Sequence, residues 1–232
     1  MFSALQLAAV EKRIVAACQR AGRDRSEITL VGVTKTVTFP EVVAASASGL
    51  HKFGENRVQE AAPKIAAARE KALAVEWHLI GHLQTNKAKD AAALFDVIQS
   101  VDSVRLAEAL QKHAEKLQRR IEIFLQINTS AEISKFGAVP TEAVVLAREI
   151  AAFPNLHLAG LMTIGALTED VDQIRGCFRT LRQRYEEILA LRLPNTAMRH
   201  LSMGMTDDFE IAIEEGATIV RIGRAIFGER TS

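Results

Sequence analysis

The amino-acid sequence predicts an α/β protein, a single (β/α)8 TIM-like barrel over residues 1–232 with an extra N-terminal helix. Three observations lead to this fold class. Short β-rich runs alternate with longer helical patterns, a chain of 232 residues suits one such barrel, and no Pro/Gly/Ser-rich linker divides it. An open, doubly wound sheet is the alternative that the same alternation allows.

Eight segments have the length and composition of strands. They are ITLVGVT (28–34), HKFG (51–54), EWHLI (76–80), DVIQS (96–100), IEIFLQIN (121–128), LHLAGLM (156–162), MRHLS (198–202) and TIVRIG (218–223). Parallel strands that are joined by helical crossovers account for this order.

Apolar residues at three- and four-residue spacing predict the helices between the strands. The main helical segments are 56–72, 103–119, 141–152 and 170–191, and the extra helix before the first strand covers residues 3–21. Helix starts are expected at Asp102-Ser103, at Thr141 and at Thr206, because their side-chain oxygens can accept bonds from first-turn amides.

Composition argues against several classes of function. Lys and Arg number 29 against 28 Asp and Glu, so the net charge of +1 gives no footprint for nucleic acid or an anionic membrane. Cys18 and Cys177 are far apart in sequence and are expected to be reduced, structural thiols. The N-terminus does not have the pattern of a signal peptide, and no apolar run reaches the ~18 residues of a membrane span, so we expect a cytoplasmic protein.

Polar residues follow the predicted strands, where a barrel of this kind collects its chemistry. Lys35 follows the first strand, and a strand-end lysine can form a Schiff base with a carbonyl compound. Ser202 and Gly204 follow the seventh strand, and Gly223-Arg224 follow the eighth, in the two loops where many barrels bind phosphate. Together these positions predict a ligand that has both a phosphate and an aldehyde.

Five motifs carry a resemblance to a known family. They are VGVTKT (31–36), FGENRVQE (53–60), WHLIGHLQTNK (77–87), EISKFG (132–137) and HLSMGMTDDFEIAIEEGATIVRIGRAIFG (200–228). Over nearly its whole length the chain resembles the pyridoxal phosphate homeostasis proteins (YggS/PROSC type), whose barrel is similar to the N-terminal domain of alanine racemase.

The resemblance implies that the cofactor is pyridoxal 5'-phosphate. Lys35 would form the internal aldimine, Asn56 would lie near the cofactor ring, and Arg221 would face the pyridine nitrogen. A guanidinium cannot accept a proton and disfavours a protonated pyridinium beside it, so the ring would be a weaker electron sink.

The phosphate would be held at the other end of the site. By the same resemblance, Ser202 and the main-chain amides of Gly223 and Arg224 would bind it.

These expectations favour a binding protein without catalytic turnover that takes part in intracellular vitamin B6 homeostasis. Racemisation needs an acid or base on each face of the substrate, and Lys35 serves only one. The single tyrosine, Tyr185, lies in a charged helical stretch and is expected to be structural. The alternative is a pyridoxal-phosphate-dependent amino-acid racemase with His78, His82 or another residue of the rim as the second base.

A barrel aldolase or isomerase that acts on a sugar phosphate is a third interpretation, with Glu55, Asp102 and Asp207 as candidate acids or bases. No metal site is expected, since the two histidines of WHLIGH fall on a strand and its following loop rather than on one helix face.

The sequence leaves several partners and roles open. Pyridoxal-phosphate-dependent enzymes are possible recipients of the cofactor, and a monomer or weak dimer is expected. Lys87 could attract an anion near the rim, whereas Lys135 is assigned to the surface by default.

Overall fold

The computed structural model describes residues 1–132 and 134–228, which form a closed barrel of eight parallel strands in the order β1 to β8. The strands are β1 Thr29–Val33, β2 Lys52–Glu55, β3 Glu76–Leu79, β4 Val97–Val101, β5 Ile121–Gln126, β6 Leu156–Met162, β7 Thr196–Ser202 and β8 Ile219–Ile222. β8 pairs with β1 through four residues, which closes the barrel. The predicted fold class is confirmed and the open sheet is excluded.

Helices surround the barrel and connect successive strands. They are α1 Ala4–Arg20, α2 Phe39–Ala47, α3 Val58–Glu70, α4 Ala88–Leu94, α5 Val104–Lys116, α6 Ala143–Ile150, α7 Val171–Ala190, α8 Phe209–Glu214 and α9 Arg224–Phe227. The extra helix α1 packs against α8 and α9, so it covers the barrel beside its closure. Within the described part of the chain, no helix has both the length and the apolar character needed to cross a bilayer.

All eight predicted strands overlap an observed strand, and the differences lie at their ends. The fifth was expected to reach Asn128, but β5 ends at Gln126 because Ile127 forms an isolated bridge with Ala138 instead. Ser103 begins α5 as expected, and its hydroxyl accepts a bond from the Leu106 amide at 3.4 Å.

Two predicted helix starts were wrong. A 3-10 turn occupies Pro140–Glu142, so α6 starts after Thr141 rather than on it. α8 starts at Phe209, because the Asp208 carboxylate accepts a bond from the Met205 amide and closes a turn that contains Thr206. Both cases show a local turn that delays the helix.

α2 falls outside the predicted helical segments. Its start, Thr38-Phe39-Pro40, contains β-branched, aromatic and proline residues that favour strands or turns. The helix begins there because Glu41 reaches back to the Thr38 amide at 3.0 Å, and because proline is tolerated in a first turn.

The buried apolar residues form two regions, one on each side of the barrel wall. The interior cluster consists of Val31, Val97, Phe124, Ala159, Met162 and Ile219. The larger cluster fills the space between the strands and the helices and includes Phe53, Phe95, Phe178 and Phe209. Alternate residues of each strand therefore serve different cores, as the two-residue period of a strand requires.

Gly160 in β6 stands at a place where two strands approach too closely for a side chain. A Cβ atom there would lie 2.3 Å from the carbonyl oxygen of His200 in β7, and the β6–β7 register shifts between Leu158 and Gly160. A glycine inside a strand often marks such an approach.

We therefore expect Gly160→Ala to lower the free energy of unfolding by roughly 1–3 kcal/mol, since the backbone must move to admit the methyl group. Gly176→Ala is the matched control, because a Cβ atom at this position of α7 meets nothing within 4 Å. It should raise stability by about 0.5–1 kcal/mol through helix propensity. Urea titrations of both variants measure these changes, and equal effects would contradict the assignment.

Candidate functional site

A cavity of about 1030 Å³ opens at the carboxyl ends of the strands, the face where barrels of this type hold their sites. Its wall is made by the segments after β1, β6, β7 and β8, by α2 and by residues 1 and 2. The lining residues are Met1, Phe2, Val33, Lys35, Thr36, Val37, Thr38, Pro40, Glu41, Ala44, Leu167, Met205, Thr206, Asp207, Arg221, Gly223, Arg224, Phe227 and Gly228.

Lys35 follows β1 and lies half-buried in the cavity wall. The next residue, Thr36, has a φ of +67°, a left-handed conformation that is unusual for a β-branched side chain. Thr34, on the other side of Lys35, is fully buried and is fixed by both its main chain and its side chain. Lys35 therefore lies between a buried residue that is held in place and a sharp turn of the backbone.

A buried ion pair holds that strand end from outside the barrel. Lys64 of α3 donates to a carboxylate oxygen of Glu55 and to the carbonyl oxygen of Thr34, both at 2.7 Å. The Thr34 hydroxyl donates to the same Glu55 oxygen at 2.6 Å. Because Glu55 is fully buried, this carboxylate ties the ends of β1 and β2 to α3.

Arg221 of β8 is a buried cation that also lines the cavity. Its guanidinium donates to the Ser202 hydroxyl and to the Thr163 carbonyl oxygen, both at 2.7 Å. Burial lowers the pKa of Arg221 to about 10, and the negative charge of Asp208 opposes that shift. The side chain therefore remains cationic at neutral pH.

Asp208 lies buried behind the loop that follows β7. Burial raises the pKa of its carboxyl group, while the bond from the Met205 amide, 2.6 Å long, and the charge of Arg221 act in the opposite direction. Its place beneath the loop makes Asp208 a support for the segment that contributes Met205 and Thr206 to the cavity.

Ser202 lies one layer below the cavity, inside the barrel. Besides accepting from Arg221, its hydroxyl donates to the Gln99 side-chain oxygen at 2.6 Å. Gln99 in turn contacts the Nδ1 atom of His78 at 2.8 Å, and His78 Nε2 lies 2.6 Å from Glu76 Oε1. β4 and β7 are not neighbours in the sheet, so the Ser202–Gln99 bond crosses the barrel interior.

The remaining wall comes from the ends of β7 and β8. Gly223 precedes α9, and a Cβ atom on it would lie 3.3 Å from the Cβ of Val33. The first amides of a helix have no acceptor within the helix, so α9 presents donors at this end. Arg224 bonds to Asp207 at 2.5 Å and links the two loops across the mouth.

Asn56 follows β2 and is half-buried. It is not among the described residues that line the cavity. A Cβ atom at Gly81 would lie 2.2 Å from the carbonyl oxygen of Asn56, so glycine after β3 lets the Asn56 main chain come close. Of the six predicted cofactor residues, four therefore share the cavity wall, while Ser202 and Asn56 stand behind or beside it.

Comparison with known proteins places the chain in a family. Residues 5–231 match the family model for the alanine racemase N-terminal domain. A pyridoxal phosphate homeostasis protein of Aquifex aeolicus is 43% identical over 226 residues, which is 97% of either chain. The chain belongs to the pyridoxal phosphate homeostasis protein family.

Solved structures of family members and relatives agree with this assignment. A protein of Bifidobacterium adolescentis, described as unknown, is 40% identical and has a TM-score of 0.91 over 97% of this chain and 94% of its own. PipY of Synechococcus elongatus, solved with PLP bound, is 33% identical with a TM-score of 0.81, over 94% of this chain and 100% of its own.

Several cavity residues were missed by reasoning from sequence. In this family member Thr36, Thr38 and Met205 line the site, and so does Thr206, which was interpreted only as a helix start. Thr206 could have been predicted from its position, since it comes shortly after Gly204 in the loop that follows β7. The Met1 amine donates to the Phe227 carbonyl oxygen at 2.7 Å, which brings Met1 to the cavity. No local sequence pattern predicts this contact.

Other candidate residues have different surroundings. His82 stacks on Phe136, with ring centroids 3.7 Å apart, and its Nδ1 lies 3.7 Å from Asp102. Lys135 donates to Glu132 at 2.6 Å and to the Gly165 carbonyl oxygen at 2.7 Å, so it is not the exposed surface lysine that was expected by default. The motif EISKFG includes residue 133, which lies outside the described residues.

The Lys64–Glu55 pair should be essential for stability at the Lys35 strand end. We expect Lys64→Met to lower the free energy of unfolding by about 3–5 kcal/mol, because it leaves the Glu55 carboxylate buried without its cation. The double variant Lys64→Met/Glu55→Gln should recover most of this loss in chemical denaturation. A double variant as unstable as the single one would show that the buried charge is not the cause.

Glu76 should give the stability a dependence on acid pH. Its bond from His78, followed by that from Lys52, lowers the pKa of Glu76 to about 2 against the opposing effect of burial. A lowered folded-state pKa stabilises the fold above the unfolded value of about 4.3 and loses that contribution as pH falls towards 2.

We therefore expect Glu76→Gln to flatten the decline of stability between about pH 4.3 and pH 2. The exposed Glu70 provides a control, and Glu70→Gln should leave that decline unchanged. Denaturation curves across this range test the assignment, and an unaltered slope in Glu76→Gln would contradict it.

Proposed function

We propose that this chain binds pyridoxal 5'-phosphate covalently through Lys35 and takes part in vitamin B6 homeostasis without turning over a substrate. The observation that carries the proposal is the shared cavity wall of Lys35, Arg221, Gly223 and Arg224. The names of its relatives and the PLP-bound structure of PipY support the same cofactor.

The residues present fit the chemical groups of this cofactor. A primary amine on Lys35 suits the aldehyde, and the buried guanidinium of Arg221 offers a donor, never an acceptor, to a ring nitrogen. The donors at Gly223, Arg224 and Thr206 lie along the wall that suits a phosphate. A cavity of about 1030 Å³ has the size of a small-molecule site.

The residues of the chain act by binding and orientation. When bound, the cofactor supplies a reactive aldehyde for amines. Lys35 would hold this aldehyde at a strand end whose Thr34 carbonyl oxygen is bound by Lys64, and Arg221 would supply a positive charge for the ring. For Ser202 to donate to a phosphate oxygen, its proton would have to leave Gln99, so we assign Ser202 to the support of Arg221.

The positions of the candidate second bases favour a carrier over a racemase. The Tyr185 hydroxyl donates to the Met198 carbonyl oxygen at 2.8 Å, on the outer side of the barrel. His78 is buried between Gln99 and Glu76, and His82 stacks on Phe136. A carrier of this kind would deliver the cofactor to pyridoxal-phosphate-dependent enzymes.

The arrangement also disfavours a sugar-phosphate aldolase. Glu55 is bonded to Thr34 and Lys64 outside the barrel, Asp102 lies near His82, and Asp207 is paired with Arg224. These carboxylates already have partners, and Asp207 alone of the three lines the described cavity.

Borohydride reduction of the cofactor-loaded protein tests the proposal. We expect an absorption band that is lost on reduction and a modified peptide that maps to Lys35, since reduction makes the lysine–cofactor bond permanent. Lys35→Ala should abolish the band and the adduct. Lys87→Ala is the matched control, and it should retain both.

Three results would contradict the proposal. A protein that binds no pyridoxal 5'-phosphate, or an adduct at another lysine, would remove Lys35 as the attachment site. Sustained racemisation of an amino acid that depends on Lys35 would replace the carrier with the enzyme.

A further inference from the structure

A chain of side-chain hydrogen bonds runs through the barrel from the candidate site to the opposite mouth. It joins Arg221, Ser202, Gln99, His78 and Glu76, with successive distances of 2.7, 2.6, 2.8 and 2.6 Å. Four strands contribute to it, namely β8, β7, β4 and β3. The three middle residues are buried, so the bonds are shielded from water.

The two ends of this series of bonds fix the direction of its first and last bonds. A guanidinium only donates and a carboxylate only accepts. Arg221 therefore donates to Ser202, and His78 Nε2 donates to Glu76, whose carboxylate also binds Lys52 at 2.8 Å. When Nδ1 carries no proton, it is an acceptor.

One orientation of the Gln99 amide is complementary to both of its neighbours. The Gln99 amide nitrogen donates to His78 Nδ1, and the Gln99 oxygen accepts the Ser202 proton. A flipped amide would aim its oxygen at an unprotonated nitrogen, which loses that bond, and its NH2 group at Ser202, whose proton would then have to point elsewhere. Gln99 thus determines where the single proton of Ser202 points.

We propose that Gln99 and His78 are positioning residues for the cofactor site: through Ser202 they hold Arg221 in the orientation that faces the bound ring. This inference rests on the proposed function, because it concerns the same site. Neither residue lines the described cavity, so both act at a distance. In the low dielectric of the barrel interior, hydrogen bonds that all donate in the same direction strengthen one another, so the series is stronger than its separate bonds would be.

A pair of substitutions at Gln99 separates positioning from stability. Gln99→Glu keeps an acceptor for the Ser202 proton and draws a second proton onto His78, so Ser202 and Arg221 retain their arrangement. Gln99→Met has a similar size but removes the acceptor. We expect Gln99→Met to weaken pyridoxal 5'-phosphate binding roughly tenfold, while Gln99→Glu remains within about threefold of the unmodified protein.

Thermal denaturation of the cofactor-free variants provides the comparison. Burying a carboxylate costs stability, so Gln99→Glu should unfold at least as readily as Gln99→Met although it binds the cofactor more tightly. The positioning role would be overturned if cofactor affinity fell in proportion to stability in both variants. It would also be overturned if Gln99→Met bound the cofactor as tightly as the unmodified protein.

The protonation of His78 gives a readout that does not need the cofactor. In the cofactor-free protein labelled with ¹⁵N-histidine, long-range ¹H–¹⁵N correlations should show a proton on Nε2 of His78 and none on Nδ1. A proton on Nδ1, in the other tautomer or in a doubly protonated ring, would overturn the inference even if the protein binds pyridoxal 5'-phosphate. The predicted tautomer in a protein that fails to bind it would instead refute the proposed function.

Discussion

The site depends on keeping a guanidinium charged inside the barrel. Arg221 has almost no contact with water, and an unpaired buried charge would cost several kcal/mol. Its bonds to Ser202 and to the Thr163 carbonyl oxygen join the ends of β6, β7 and β8, and Asp208 adds a compensating charge. The same contacts that make the arginine tolerable therefore shape one wall of the cavity.

The wall that carries Lys35 follows the same principle with the charges reversed. There the buried group is a carboxylate, Glu55, and a lysine from α3 neutralises it. Both networks end in main-chain carbonyl oxygens, those of Thr163 and Thr34, so side-chain charge is used to position backbone. The two walls of the cavity are therefore held by separate hydrogen-bond networks.

Much of the fold could be predicted from the sequence because its signals are local. Eight apolar runs alternate with amphipathic helices, and the residues at the strand ends give Lys35, Gly223 and Arg224 directly, whereas Arg221, which lies within β8, was expected only from the family resemblance. α2 was missed because its first turn resembles a strand or loop, and only the capping contact with Glu41 makes it helical.

The site contacts were harder to predict because they depend on which face of the wall each side chain takes. Gln99 stands in an ordinary strand pattern, and its role needs a partner on β7, across the barrel. A register irregularity in the β4–β5 pairing between Ile98 and Val101 also shifts the alternation at this point. Ser202 was placed at the correct strand end, but the sequence does not show that its proton is directed inward.

The bond between Arg224 and Asp207 differs in kind from the buried contacts. Both side chains are more than half exposed, and exposed ion pairs of this type contribute little and weaken as salt is added. Ionic strength therefore acts on the link between the β7 and β8 loops while leaving the shielded walls almost untouched. The link across the entrance therefore responds to salt concentration, whereas the buried Lys64–Glu55 pair and the buried Arg221 are shielded from it.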